Sequence, residues 1–581
     1  MSNRLTNIIA FFLIASAFVL CFFTLFNDCW TFDETAHIAS GYSYLTRQDF
    51  RLNPEHPPLI KDLAAAPLLF LNLNFPEEHS SWIQEGEPVW WLQFDFARQF
   101  LYESGNDPDQ ILLFARIPMI LLFLFLAWLV FFWAKKLFGN KTALLSLFFI
   151  ALSPTFLAHG RLVTTDIGAA FGTVLATYFW LKFLRKPSWK NILLASFILG
   201  ISLLFKFSLL LLIPFLGIIT LFYVWIYKKP FLKYIALSAL IGLIALIFVI
   251  WPIYQAHTFN YPVQQQVEDT AFRLGDMPIP EPITESLLWM SGQPVLRSLS
   301  HYFTGVLMVI GRAGGGNTTF FMGQMSAEAW RSYFPAVYLI KIPLPFHILT
   351  LLALIWFINS IFKRKRIVIR KWLSKHFAEF TMLIFLIIYW TVSIRSNLNI
   401  GIRHLLPVFP FIIILVSRAV VLWLKKPPFK TKHIFVGLLL LWQIVAVIHI
   451  YPHFLAYFNE LVGGPDNGHK YVTDSNLDWG QDLRRLTDFV EENKIDKIYL
   501  NYFGGGSPAY YLGNKYHRWD AKQKPDQLPP NSWLAVSANE LQGGRATPVK
   551  GFGQKTGYYN WLNQYEPVTV IGHSIFVYYI E

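Results

Sequence analysis

Long apolar runs separated by short polar turns make up most of the chain. Eleven runs are apolar enough to enter a bilayer: 8–25, 111–133, 143–157, 167–181, 192–205, 209–226, 234–250, 337–357, 380–392, 405–424 and 434–450. A helix rises 1.5 Å per residue, so about twenty such residues cross a hydrocarbon core of about 30 Å. The pattern predicts a polytopic α-helical membrane protein of about eleven spans. No small-residue cleavage site follows the first run, which is expected to remain as an anchor.

The polar residues gather in three long stretches: 27–110, 252–334 and the tail 451–581. This divides the chain into a transmembrane domain, 1–450, and a tail domain. Within the first stretch, 57–70 reads as a short amphipathic helix with prolines at its start, lying along the interface. Trp82, Trp90 and Trp91 suit the membrane surface. The tail changes period: 481–493 is patterned as a helix, and 495–502, 533–537 and 574–580 as strands, predicting a small α/β domain. Gly504-Gly505-Gly506 follows a strand and reads as a turn, with a phosphate loop as the lesser alternative.

Composition agrees: 54% of the 581 residues are hydrophobic, 17% aromatic and only 15% charged. The net charge of +13 is spread over alternate short turns. Those turns hold Lys135, Lys136, Lys141, Lys182, Arg185, Lys186, Lys228, Lys229, Lys233, Lys363, Arg364, Lys365, Arg366, Lys425 and Lys426. Glu379 is the one acid among them; the rest of the 36 acids fall in the opposite set. By the positive-inside rule the N-terminus is cytoplasmic. The three long stretches then face outward from a plasma (inner) membrane. The charge therefore serves topology, and no nucleic-acid partner is implied. Cys21 and Cys29 are too few for a disulfide framework and carry no metal-ligand pattern.

Asp33-Glu34 stands just beyond the first run, at a depth where acids are costly without a task. On the same face lie Glu55 and His56, then Arg161 and Asp166 between runs three and four. Lys206 lies between runs five and six, and Arg395, Arg403 and His404 between runs nine and ten. A lone Lys or Arg at a span end usually only snorkels to the surface. Acids and cations converging from four loops suit an anionic lipid headgroup held by Arg and Lys, beside a carboxylate base. Asp33, Glu34, Glu55, His37, His56 and Asp166 could also supply metal ligands. Their spacing matches no dedicated motif, so a divalent metal stays possible and no cofactor is required by the pattern.

These residues occur in an order that resembles the GT-C membrane glycosyltransferases. More narrowly, the chain is similar to family 39, the dolichyl-phosphate-mannose protein O-mannosyltransferases and bacterial aminoarabinose transferases of lipid A. The marks are Asp33-Glu34, Glu55-His56-Pro57-Pro58-Leu59, Ser153-Pro154 with Asp166, Lys206, and the stretch from Gly401-Ile402-Arg403-His404 to Pro410. The resemblance covers about 5–450. It implies inverting transfer of a sugar from a polyprenyl-phosphate donor to a hydroxyl on an acceptor protein, lipid or glycan. Asp33 would be the general base, and Glu34 would position acceptor or sugar. Glu55, His56, Asp166 and Arg161 would line the substrate cavity. Lys206, Arg395, Arg403 and His404 would hold the lipid phosphate.

The tail departs from the mid-chain β-trefoil-type domain of the eukaryotic members. Its stretch from Asp474 to Leu483 resembles one at the end of many bacterial members. Its acids either touch the acceptor or cap the helix starting near Gly480. Two other functions remain as alternatives: a flippase of lipid-linked glycans, and a non-catalytic membrane scaffold. A flippase needs polar groups continuing to the cytoplasmic side; a scaffold needs no converging acids and cations.

Overall fold

The computed structural model describes residues 2–83, 90–275, 277–362, 369–521, 523–549 and 551–581, so the basic residues Lys363, Arg364, Lys365 and Arg366 lie outside it. All eleven apolar runs fall on helix. Among the described residues, eight helices are long and apolar enough to cross a membrane: Asn3–Thr24, Pro108–Phe138, Thr165–Arg185, Phe207–Tyr227, Phe231–His257, Phe377–Arg395, Ile402–Leu424 and Phe429–Ile450. Their outer faces are apolar. Phe11, Leu232, Phe248 and Ile448 are 66–78% exposed, which suits lipid as solvent.

Three of the eleven runs form helices that are short or broken. Asn140–Ala151 and Trp189–Leu203 are apolar but only 12 and 15 residues long. The run at 337–357 breaks into Tyr333–Lys341 and Leu344–Ser360, bent by 113°. Proline explains two of the three. A residue before proline is pushed out of the α region. Ile342, before Pro343, is extended at φ −103°, ψ 137°. Ser153, before Pro154, is extended at φ −99°, ψ 119° and caps the short helix Pro154–His159.

The first long polar stretch folds as a layer over the helix ends. Helix Phe32–Arg47 packs on Leu59–Ala65, which tightens into Ala66–Phe70, leaving Phe70 89% exposed. Lys61 is buried and donates to Tyr44 Oη at 2.9 Å and to the Asn53 and His56 carbonyls at 2.7 and 2.9 Å. It fixes the turn that presents Glu55 and His56. Trp90 and Trp91 are exposed, but Trp82 is buried, not at the surface, with the Arg51 guanidinium 4.3 Å above its ring.

The tail holds a five-stranded sheet in the order Tyr516–Arg518, Ile498–Asn501, Ser532–Ser537, Ile575–Ile580, Thr569–Ile571. The first three strands are parallel and the last two join antiparallel. A second, three-stranded sheet stitches the tail to the large loop. Hairpin strands Thr319–Phe321 and Gln324–Ser326 are joined by Thr547–Pro548 running parallel to the latter.

The tail also docks on the first stretch. Cys29 N donates to Gln481 O at 2.8 Å and Phe32 N to Trp479 O at 3.0 Å. The three glycines serve this contact. A Cβ on Gly505 would lie 2.4 Å from Thr31 O, and one on Gly506 2.6 Å from Cys29 Sγ. Backbone this close cannot yield as a side chain would. Gly505→Ala is therefore expected to destabilise the docked tail by about 1–3 kcal/mol. Limited proteolysis would read this as faster release of the tail; an unchanged cleavage rate would count against the close-packing account.

Candidate active site

The two neighbouring acids part company at once, because successive residues on a helix point about 100° apart. Glu34 turns inward. Its carboxylate receives Arg116 Nε at 2.9 Å, Arg116 Nη2 at 2.6 Å, Val163 N at 2.9 Å and both Thr31 N and Oγ1 at 3.0 and 2.9 Å. Both Glu34 and Arg116 are fully buried. Burial alone would raise the Glu34 carboxyl, but the Arg116 guanidinium outweighs it and holds it below the usual range. Every acceptor direction is taken, so the expected contact of Glu34 with sugar or acceptor is corrected: it closes a capping box and pins a span.

Asp33 faces the other way, into open space. Arg403 Nη1 stands 2.8 Å from its Oδ2. Burial pushes the Asp33 carboxyl up, and the Arg403 and His37 charges more than reverse this, so it titrates below the usual range and is ionised at neutral pH. Arg403 is itself held on four sides. Ser475 Oγ lies 3.1 Å from its Nε, Asp166 Oδ2 is 3.5 Å from Nη1, and the Trp479 ring lies 4.2 Å from Cζ. Gly401 permits this approach. Its φ of +130° disfavours other residues, and a Cβ there would meet Ser475 Oγ at 2.7 Å.

Two cavities meet at this ion pair. The first, of about 480 Å³, is lined by His37, Glu55, His56, Lys206 and His404 together with a larger set of apolar side chains. The apolar lining includes Leu211, Pro214, Val306, Ile310 and Val392, of which Ile310 and Val392 are also exposed. The second, of about 500 Å³, is polar and lies between the large loop and the tail. Asp33, Arg403, Arg312, Phe32, Trp90 and Ile400 line both.

Residues 110–253 match the dolichyl-phosphate-mannose-protein mannosyltransferase family. The matched stretch carries Arg116, Arg161, Asp166 and Lys206. Three solved structures resemble the chain. ArnT from Cupriavidus metallidurans, bound to undecaprenyl phosphate, is 11% identical with a TM-score of 0.45, and the match covers 97% of each chain. The Archaeoglobus fulgidus oligosaccharyltransferase in its apo form is 12% identical over 97% of this chain and 73% of that one, TM-score 0.49. The same protein in complex with zinc and sulfate is 12% identical over 92% and 69%, TM-score 0.42. No curated protein matches the chain in sequence.

Within the family's stretch the expected residues separate into two layers. Lys206 reaches the first cavity, tethered by Asp166 Oδ1 at 2.6 Å. Asp166 is buried behind it and lines neither cavity; it holds Lys206 and Arg403 in place rather than touching substrate. Arg161 is buried against Asp28, which also pairs with Arg485 of the tail at 2.7 Å, so it too is set back from the cavities. Arg395 ends its helix exposed and lines neither cavity. Among the described residues, no three His, Cys, Asp or Glu side chains converge as a metal-ligand set.

Two residues were missed by the sequence reading. Arg312, from helix Arg297–Gly315, pairs with Glu55 at 3.3 Å and borders both cavities. Trp479, from the tail, backs the Arg403 guanidinium. The acids around it do not cap the helix after Gly480, which starts at Leu483 without a side-chain cap. Asp478 instead accepts from Asn539 N at 2.9 Å, at the start of helix Ala538–Arg545.

Proposed function

We propose that this protein transfers a sugar from a polyprenyl-phosphate donor to an acceptor hydroxyl on the external face of the membrane. The carrying observation is that Asp33, paired with Arg403, stands on the wall shared by an apolar and a polar cavity. The apolar wall suits an isoprenoid tail entering from the bilayer. Lys206, Arg403 and Arg312 suit a phosphate, since ammonium and guanidinium groups are its common partners. The polar cavity leaves room for an acceptor on the opposite side of the carboxylate.

The step balances without a nucleotide. The acceptor oxygen bonds to the anomeric carbon as the bond from that carbon to the phosphate oxygen breaks, inverting the centre. The acceptor proton passes to Asp33, and polyprenyl phosphate departs with the bonding pair. Cations beside the departing phosphate stabilise the charge that develops there. An arriving phosphate competes for Arg403, which loosens its hold on Asp33 and makes the carboxylate a stronger base. The family match over 110–253 supports a lipid-phosphate donor. A flippase is disfavoured because the charged cluster stops at one end of the helices.

Purified protein incubated with a panel of polyprenyl-phosphate sugars should release polyprenyl phosphate in the presence of acceptor extracts. Release from none of them would sink this reading.

A further inference from the structure

We propose that the polar cavity is an acceptor site for an uncharged saccharide, built by the tail. This rests on the transferase reading for its chemistry but not for its binding. A sugar ring has apolar C–H faces and a rim of hydroxyls, so its sites pair aromatic surfaces with short carboxylates and amides. The cavity has both. Trp90 and Trp91 stand edge to face at 4.9 Å, and Trp91 is 57% exposed, presenting open ring surface. Tyr558 adds a third ring, and Asp474, Asn539 and Glu540 supply the polar groups. Three of these six come from the ends of tail elements, and Asp474 carries a strained left-handed backbone, φ 55°.

Charge and topology favour a neutral saccharide over the alternatives. The acids Asp33, Asp474 and Glu540 are balanced in number by Arg312, Arg403 and Lys555, so no net charge selects an ion. A peptide commonly binds by adding a strand to a free sheet edge. Of the two strands bordering this cavity, Gln324–Ser326 is paired on both sides, and the outer one, Thr319–Phe321, bridges to Val472 through Phe321. The saccharide hydroxyl nearest Asp33 would be the one that attacks, its proton leaving to that carboxylate.

The test uses the full chain in detergent micelles. Neutral glucose, galactose, mannose and N-acetylglucosamine oligomers are titrated against intrinsic tryptophan fluorescence, with a Ser/Thr-rich peptide in parallel. At least one saccharide should bind saturably. Trp91→Ala and Glu540→Gln should each weaken it by about tenfold or more, the scale of one aromatic or hydrogen-bond anchor. Undecaprenyl phosphate binding, read on the same preparations, should be unchanged, since neither residue lines the apolar cavity. The proposal is overturned if no oligomer binds, if both variants bind saccharide as wild type does, or if the peptide is the ligand lost on substitution. Failure of wild type to bind undecaprenyl phosphate would instead strike the donor reading and leave a positive saccharide result standing.

Discussion

Asp33→Asn should cut sugar transfer by about 100- to 10,000-fold, the range a positioned proton acceptor supplies. Asparagine keeps the size and one oxygen of the carboxylate but cannot take the acceptor proton. The side chain is 25% exposed and has a single strong partner, so the fold should survive. Donor binding should persist, which separates lost chemistry from lost affinity. The pH dependence gives an independent reading. Arg403 holds Asp33 below the usual aspartate range in the free protein. The acid limb of kcat/KM, which reports the free enzyme, should therefore lie below about pH 3.9. If bound phosphate draws Arg403 away, the acid limb of kcat should lie higher. Transfer by Asp33→Asn at the wild-type rate would remove the general-base assignment, and coincident acid limbs would remove the exchange of partners.

Arg116→Ala should destabilise the protein by about 3–5 kcal/mol. That is the cost of leaving a buried charge without its partner. Arg116 also donates to Cys29 O at 2.9 Å, so its loss frees both an acid and a carbonyl at the foot of the first stretch. Thermal unfolding in micelles reads the loss; the double variant Glu34→Gln with Arg116→Met should recover much of it, because no charge is left buried. The sign with pH follows from Glu34. Its folded carboxyl titrates below its unfolded value, so the stabilisation is present above about pH 4.3 and disappears as pH falls through the lower folded value. An Arg116→Ala protein within about 0.5 kcal/mol of wild type would show the pair to be of no structural weight.

The helices and the ordered polar marks were legible because hydropathy and charge asymmetry act locally. Asp33, Lys206 and Arg403 came from three loops and stand together, because loops on one face of a bundle have few places to go. The division between Asp33 and Glu34 was not legible. It depends on Arg116, which in sequence resembles any cation at a span end and in space is the partner that consumes Glu34. Asp166 and Arg161 were misplaced for the same reason: charge and position are written in the chain, but which charges neutralise each other is settled by packing. Arg312 offered no signal, sitting in an amphipathic helix of a long loop. Trp479 stood inside a conspicuous polar stretch, but only tertiary contact reveals that it lies against Arg403. The broken spans could have been found from Pro154 and Pro343, whose preceding residues leave the helix.

The pairing of Arg403 with residues far along the chain also sets a timetable. Asp33 lies 370 residues before Arg403, and Ser475 72 residues after it. At roughly 5–20 residues per second, Arg403 emerges about 20–70 s after Asp33, and Ser475 roughly 4–14 s later. Until then Asp33 has no guanidinium beside it, and Arg403 has no tail behind it. A ribosome that stalls before Ser475 leaves a protein largely threaded through the membrane but unable to assemble its centre. The site thus matures only once Ser475 and Trp479 have been made.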